Sequence, residues 1–195
     1  MRPDVAERRA SFFAAALAGV RLSDVVVLDE SYATTQFTRL RGRCPRGERL
    51  VSRVPHGHWK RLTVLAAVGV AGVVCAATVD AATDAGVFVT FVRESLCPAL
   101  RPGQVVVMDN LAPHKAAEVA RLVEGAGCRA VYLPPYSPDL SPIEPMWSKV
   151  KQAIRSRDAR TVPALNRAIT RAFKTITPGD CHGYFRGCGY TLRLI

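Results

Sequence analysis

A chain of 195 residues with 49% hydrophobic content builds one buried core, with or without an appendage, and is not a globally disordered polypeptide. Its formal net charge of +11, in which arginine far outnumbers lysine, points to polyanionic partners such as nucleic acid or an anionic membrane surface. Six cysteines without a C-x-x-C pair, no signal peptide, and an apolar stretch at 12–20 too short to span a bilayer argue against zinc and disulfide frameworks and against a membrane protein.

Residues 4–19, alanine-rich and charged at one end, predict a short amphipathic helix. Val25-Val26-Val27-Leu28 is a β-branched run of the buried-strand type and ends at Asp29-Glu30. Carboxylates at the end of a buried strand lie at a sheet edge, where ligands bind. Residues 37–61 set Arg39, Arg41, Arg43, Arg46, Arg49, Arg53, Lys60 and Arg61 against one acid, Glu48, and are broken by Gly42, Pro45, Gly47, Pro55 and Gly57. This stretch reads as surface loops or a short hairpin. It is either a solvated charged loop or, given its sign bias, a phosphate-contacting surface.

Residues 63–70 and 73–79 predict a buried hairpin turned at Ala71-Gly72. Over 83–98 the spacing of Val87, Phe88, Phe91, Val92 and Leu96 is helical, with Pro98 as the stop. A second buried strand, 104–108, also ends in a carboxylate, Asp109. A helix over 114–126 and a short strand over 130–133 follow. Residues 132–147 then read Y-L-P-P-Y-S-P-D-L-S-P-I-E-P-M-W. Proline removes backbone donors and fixes φ, so this run is neither ordinary strand nor helix interior. It reads as a rigid loop delivering Glu144 into the first turn of a helix. A further helix is expected over 162–175, and the glycine-rich 177–195 is expected to be an irregular segment packed on the domain.

The expected fold class is α/β, a mixed sheet flanked by helices. Its divisions are an N-terminal helix or linker over 1–20, a main domain over 21–160 that holds the sheet, and a C-terminal helix and tail packed on it over 161–195. The six cysteines are expected to be reduced, small core residues, with Cys181-His182…Cys188 the one candidate exception.

Phosphodiester cleavage by two metal ions needs carboxylates converging on one point, and Mg²⁺ prefers oxygen ligands. Asp29 and Asp109 converge if their strands are neighbours, and the path to Glu144 returns to the same edge. Other readings stay open for each. Asp29 also fits a turn or cap, with Glu30 as the functional neighbour. Asp109-Asn110 also fits the start of a turn. Ser141-Pro142-Ile143-Glu144 fits a capping box, with Ser141 as N-cap and Glu144 at the third helical position. Helical spacing puts Ile143, Trp147, Val150 and Ile154 on one stripe and Glu144, Ser148, Lys151 and Arg155 on the next. A cap accounts for the glutamate but not for the cations. A DNA-facing helix accounts for both.

The runs V-V-V-L-D-E, V-V-V-M-D-N-L-A-P-H-K and Y-L-P-P-Y-S-P-D-L-S-P-I-E-P-M-W-S-K-V-K resemble the DDE transposases of bacterial insertion sequences related to the mariner superfamily. Residues 110–143, 34 in all, separate Asp109 from Glu144, a spacing typical of that superfamily's second and third acids. The resemblance extends from about residue 20 over nearly the whole remaining chain. It implies a ribonuclease-H-like, integrase-like fold, catalysis by Mg²⁺ or Mn²⁺ as two ions, and DNA cleavage followed by strand transfer. Asp29, Asp109 and Glu144 take its three acid positions as metal ligands. Asn110, His114 and Lys115 match the flanks of the second motif, with Asn110 and His114 in supporting roles. DNA contacts are expected from Arg39, Arg41, Arg43, Arg46, Arg49, Lys115, Lys151 and Arg155.

The partner implied is double-stranded DNA, both element ends and target, with a homo-oligomer assembled on it in the cytoplasm or nucleoid. Relatives carry an N-terminal helix-turn-helix region, for which this chain has too few residues ahead of the first strand. A separate helix-turn-helix subunit, an upstream frame or a truncated remnant is therefore expected. Ser31-Tyr32 stands where relatives have Ser/Thr-Gly, and S-P-I-E replaces N-P-I-E. Two other functions fit the residues: a catalytically silent DNA-binding remnant or subunit of a split transposase, and a nuclease acting on RNA–DNA hybrids.

Overall fold

The computed structural model describes residues 3–81, 84–111 and 117–190. Five strands, β1 (Val25–Thr34), β2 (Arg61–Gly69), β3 (Gly72–Val79), β4 (Val105–Met108) and β5 (Arg129–Tyr132), form one mixed sheet in the order β3-β2-β1-β4-β5. β1, β2 and β3 pair antiparallel, whereas β4 runs parallel to both β1 and β5. The β2–β3 turn closes on Gly72, whose φ of 141° lies in the region that favours glycine. All four residues of β4 are buried. A parallel strand between two neighbours is covered on both faces, which is why it reads as an unbroken apolar run.

Period-two alternation sorts the strand residues onto two faces. Val26, Leu28, Leu65, Ala67, Val106 and Met108 pack under α2 (Ala85–Phe91) and α3 (Ala117–Gly125), with Phe88, Phe91, Val119 and Val123 as the helix side of that core. The chain leaves α2 through a π-helical turn, Val92–Leu96, and a 3-10 turn, Cys97–Ala99, so the expected single helix is three short pieces. Val25, Val27, Val64, Ala66, Val105 and Val107 pack on the opposite face. Their partners come from α1 (Pro3–Ala16), α4 (Ile143–Arg155), α5 (Val162–Phe173) and α6 (Pro178–Gly187), through Phe12, Trp147, Val150, Leu165, Ile169 and Phe185. Burying one such side chain contributes about 1.5–3 kcal/mol. No helix among the described residues is long and apolar enough to cross a membrane.

Three expectations need correction. β1 does not end at Leu28. It pairs with β2 from Val26 through Thr34, and only its first three residues pair with β4, so Asp29 lies mid-strand where the parallel ladder stops. The glycine-rich tail is not irregular over 178–187. Thr177 and Asp180 form a capping box, Lys149 pairs with Asp180 at 2.5 Å, and Cys181 and Phe185 are buried, which together outweigh the helix-weakening glycines. The six cysteines are unpaired, yet only Cys128, Cys181 and Cys188 are buried. Cys44 is exposed in the basic loop.

Candidate active site

The β1–β4 register decides what meets at the sheet's centre. Its last pair is Val27 with Val107. Two residues beyond that pair lie Asp29, still in β1, and Asp109, just past the end of β4; alternation from Val27 puts Asp29 on the face shared with Val25 and Val27, the face that α4 covers. α4 begins at Ile143, and both aspartates line one cleft, of about 470 Å³, with Glu144. Asn110 and the proline segment Pro134, Pro135 and Pro138 form its far wall. A second cleft, about 670 Å³, opens on the other side of Asp29 and Glu144 and is lined by Tyr32, Arg61, Asp80, Trp147 and Lys151. The two acids thus stand on the ridge between two clefts.

Asp29 is the electrostatically unusual group. Burial, with further contributions from Glu30 and Asp109, pushes its carboxyl up to about 7, against opposing hydrogen bonds from the Glu30 backbone and from Trp147. The Trp147 indole N–H donates to Asp29 Oδ2 at 3.1 Å. A buried indole needs an acceptor, and here the acceptor is a carboxylate it also orients. Asp109 Oδ1 accepts from the Leu111 backbone N–H at 2.9 Å, so the turn expected at Asp109-Asn110 exists and holds the acid. Asn110 donates through its amide to the Leu133 carbonyl and ties the end of β4 to the start of the proline loop.

The capping box that Ser141-Pro142-Ile143-Glu144 also fits does not form. Pro142 occupies the N-cap with helical backbone angles, no side chain caps the helix, and the Glu144 N–H donates to the Ser141 carbonyl at 3.1 Å. Pro142 and Pro145 fit here because the first turn of a helix leaves its N–H groups unused. The Glu144 side chain is exposed and accepts no hydrogen bond among the described residues. The loop ahead of it is strapped from outside. Arg9 of α1 makes a two-pronged ion pair with Asp139 at 2.9 and 2.6 Å, and the Tyr190 hydroxyl donates to the Leu140 carbonyl at 3.1 Å.

Among the described residues, no three acid, histidine or cysteine side chains are gathered into a set that holds a metal ion. Asp29, Asp109 and Glu144 share a cleft without being drawn to one point. Carboxylates repel at close range unless a cation lies between them. Lys151 and Arg155 lie on Glu144's stripe, as the spacing predicts, but each covers an aromatic ring. Lys151 Nζ is 5.0 Å from the Tyr32 centroid and the Arg155 guanidinium 4.5 Å from that of Phe37. Arg39, Arg41, Arg43, Arg46 and Arg49 are exposed in the loop between β1 and β2, and none lines either cleft. His114 and Lys115 lie outside the described residues. Trp147, read from spacing only as core, and Tyr32 with Arg61 are the cleft residues that periodicity missed. An indole N–H three residues after Glu144 was the available signal for the first.

The DDE superfamily endonuclease profile matches residues 24–166. A search of the curated proteins finds no match. Among solved structures, a Mos1 transposase paired-end complex with left transposon end is similar at a TM-score of 0.75 and 18% identity, covering 96% of this chain and 59% of that one. The Mos1 mariner paired end complex with Mn gives 0.70 at 16% identity, with 96% and 59% covered. The catalytic domain of Mos1 mariner transposase gives 0.66 at 15% identity, with 96% and 88% covered. The chain therefore spans 59% of the length of the Mos1 chains in the two paired-end complexes. At these identities the likeness establishes the fold, a ribonuclease-H-like sheet flanked by helices. The profile is the stronger relation, since it runs from just before β1 into α5 and takes in every element that lines the cleft, and on it the chain belongs to the DDE superfamily endonucleases.

Proposed function

We propose that this chain is the catalytic domain of a transposase that cuts DNA phosphodiester bonds at insertion-sequence ends and joins the freed ends to target DNA. The observation that carries the reading is that Asp29, Asp109 and Glu144, from three separate elements, line one cleft, with Asp29 desolvated among other carboxylates. This donor set is all oxygen and anionic, which fits Mg²⁺ or Mn²⁺. Bound there as two ions, such a metal supplies Lewis acidity at the attacking and leaving oxygens of the phosphodiester.

The chain's own residues do the rest. Asp29 is a poorly solvated carboxyl whose charged form a bound cation would stabilise, and Trp147 donates a hydrogen bond that orients its oxygens. Asp109 is held by its turn, and Asn110 keeps that turn against the proline loop. Glu144 stands exposed in the first turn of α4, at the mouth of the cleft. The similar Mos1 structures are complexes with a transposon end, a strand transfer complex and a complex with Mn, which supports double-stranded DNA as the substrate and a divalent metal as the cofactor. Their paired ends support assembly as a homo-oligomer on DNA.

The test is nicking of duplex DNA carrying element ends, with Mg²⁺ or Mn²⁺ against EDTA. Asp109→Ala and Glu144→Ala should each reduce nicking to the EDTA background while leaving DNA binding intact. Full nicking by either variant would overturn the ligand assignment. Salt-dependent DNA binding by the unaltered chain without metal-dependent nicking would identify the silent, DNA-binding alternative instead.

A further inference from the structure

Tyr32 lies on β1 three residues past Asp29, and 43% of its surface is exposed. The Arg61 guanidinium lies 4.3 Å from its ring centroid and Lys151 Nζ lies 5.0 Å away. Phe37 stands beside the ring, 6.2 Å between centroids. Tyr32, Arg61 and Lys151 all line the second cleft, which reaches Asp29 and Glu144. Neither cation forms an ion pair with a carboxylate among the described residues. Two cations are therefore held against an exposed aromatic ring beside the acids, Lys151 within the field of Glu144 and Asp29 but neither cation in an ion pair among the described residues. A cleft of about 670 Å³ is in the size range of small-ligand sites and has room for a nucleotide. A ligand that suits flat π-surface and unpaired positive charge together carries a flat ring and an anion. In the reach of a site that acts on DNA, that ligand is a nucleotide with its base free of the helix.

We propose that Tyr32, Arg61 and Lys151 form a nucleotide subsite beside the acids, in which an unpaired base next to the scissile phosphate stacks on Tyr32 and its own phosphate lies against Arg61 and Lys151. The proposal rests on the reading of the acids as a DNA-cutting site. It gives a role to Tyr32, which stands where relatives have glycine. The ring lines the second cleft and not the one that Asp29, Asp109 and Glu144 all share. Stacking tolerates any base, so this subsite contributes grip and register rather than sequence reading.

The probe is a short DNA duplex ending in a three-nucleotide 3′ single strand, with 2-aminopurine at the first unpaired position, titrated with the chain in EDTA so that nothing is cut. The unaltered chain should quench the 2-aminopurine on binding. Tyr32→Ala should weaken binding on the order of tenfold and remove the quench, whereas Tyr32→Phe keeps both. Arg61→Gln should lower the slope of log affinity against log salt by about one. A blunt, fully paired duplex should be insensitive to Tyr32→Ala. Equal affinity and quench in Tyr32→Ala overturns the proposal, and so does an equal loss on the blunt duplex. These readings involve no cleavage. Failure of Asp109→Ala to abolish nicking would sink the proposed function and leave the stacking result standing.

Discussion

The pair Trp147 and Asp29 shows how one hydrogen bond links core and site. Trp147 is 3% exposed, its ring packs edge-on to Phe173 at 6.0 Å, and its N–H reaches Asp29. The same residue therefore closes the α4–α5 core and aims a proposed metal ligand. Trp147→Phe keeps most of the buried ring area and removes only the donor. It should leave the thermal midpoint nearly unchanged while reducing nicking and raising the half-saturating Mg²⁺ concentration, each by about 10-fold or more, as for other groups that orient a ligand. A metal titration identical to that of the unaltered chain would reduce Trp147 to a packing residue.

At the scale of elements, the chain spends its termini on holding the proline loop. Tyr136 takes a φ of 55°, a conformation that costs a non-glycine residue on the order of 1–3 kcal/mol. Arg9 grips the same stretch at Asp139, and Tyr190, two residues beyond the C-cap of α6, grips it at Leu140. α6 in turn depends on Asp180, which the Lys149 ammonium, together with the Thr177 N–H and hydroxyl, holds down to about 2 from the ordinary 3.8. A carboxylate lowered on folding contributes stability that is fully present above its unfolded value. That contribution disappears as pH falls from about 4 toward 2. Asp180→Asn should therefore lower the thermal midpoint at pH 7 and converge on the unaltered chain as pH approaches 2. A difference that stays constant over that range would mean that packing, not the ionised cap, holds α6.

For the whole molecule, the charge is separated in space. The acids sit at the middle of the sheet, while Arg39, Arg41, Arg43, Arg46 and Arg49 stand exposed in the loop that joins β1 to β2. That loop is pinned at its base, where Thr35 and Lys60 bond to each other and Arg160 donates to the Thr35 and Phe37 carbonyls at 3.0 and 2.9 Å. Its arginines lie outside both cores, so neutralising them costs little stability. Replacing Arg39, Arg41, Arg43, Arg46 and Arg49 by Gln should leave the melting curve in place. It should also flatten the salt dependence of duplex binding by roughly 0.9 for each phosphate that is no longer neutralised. An unchanged slope would make the stretch a solvated loop and nothing more.

Local patterns determined a great deal. The β-branched runs marked β1 and β4, the Ala71-Gly72 turn marked the β2–β3 hairpin, and the 3.6-residue stripe of Ile143, Trp147, Val150 and Ile154 marked the face α4 buries. These are legible because burial imposes a period on neighbouring residues. The T-P-x-D cap of α6 was equally local but was masked by the glycines around it. The continuation of β1 past Asp29 was not legible, because Asp-Glu-Ser-Tyr has no strand signature and is held extended only by pairing with β2. Nor was the absence of a Ser141 cap on α4 legible, where Pro142 takes the N-cap position instead. Above all, the sequence by itself named three acids, whereas only the tertiary structure brought them to one cleft. The parallel β1–β4 pairing brings Asp29 and Asp109 to the same end of the ladder, and α4, packed on that face of the sheet, adds Glu144. Those are contacts between residues far apart in the chain, and no periodicity records them.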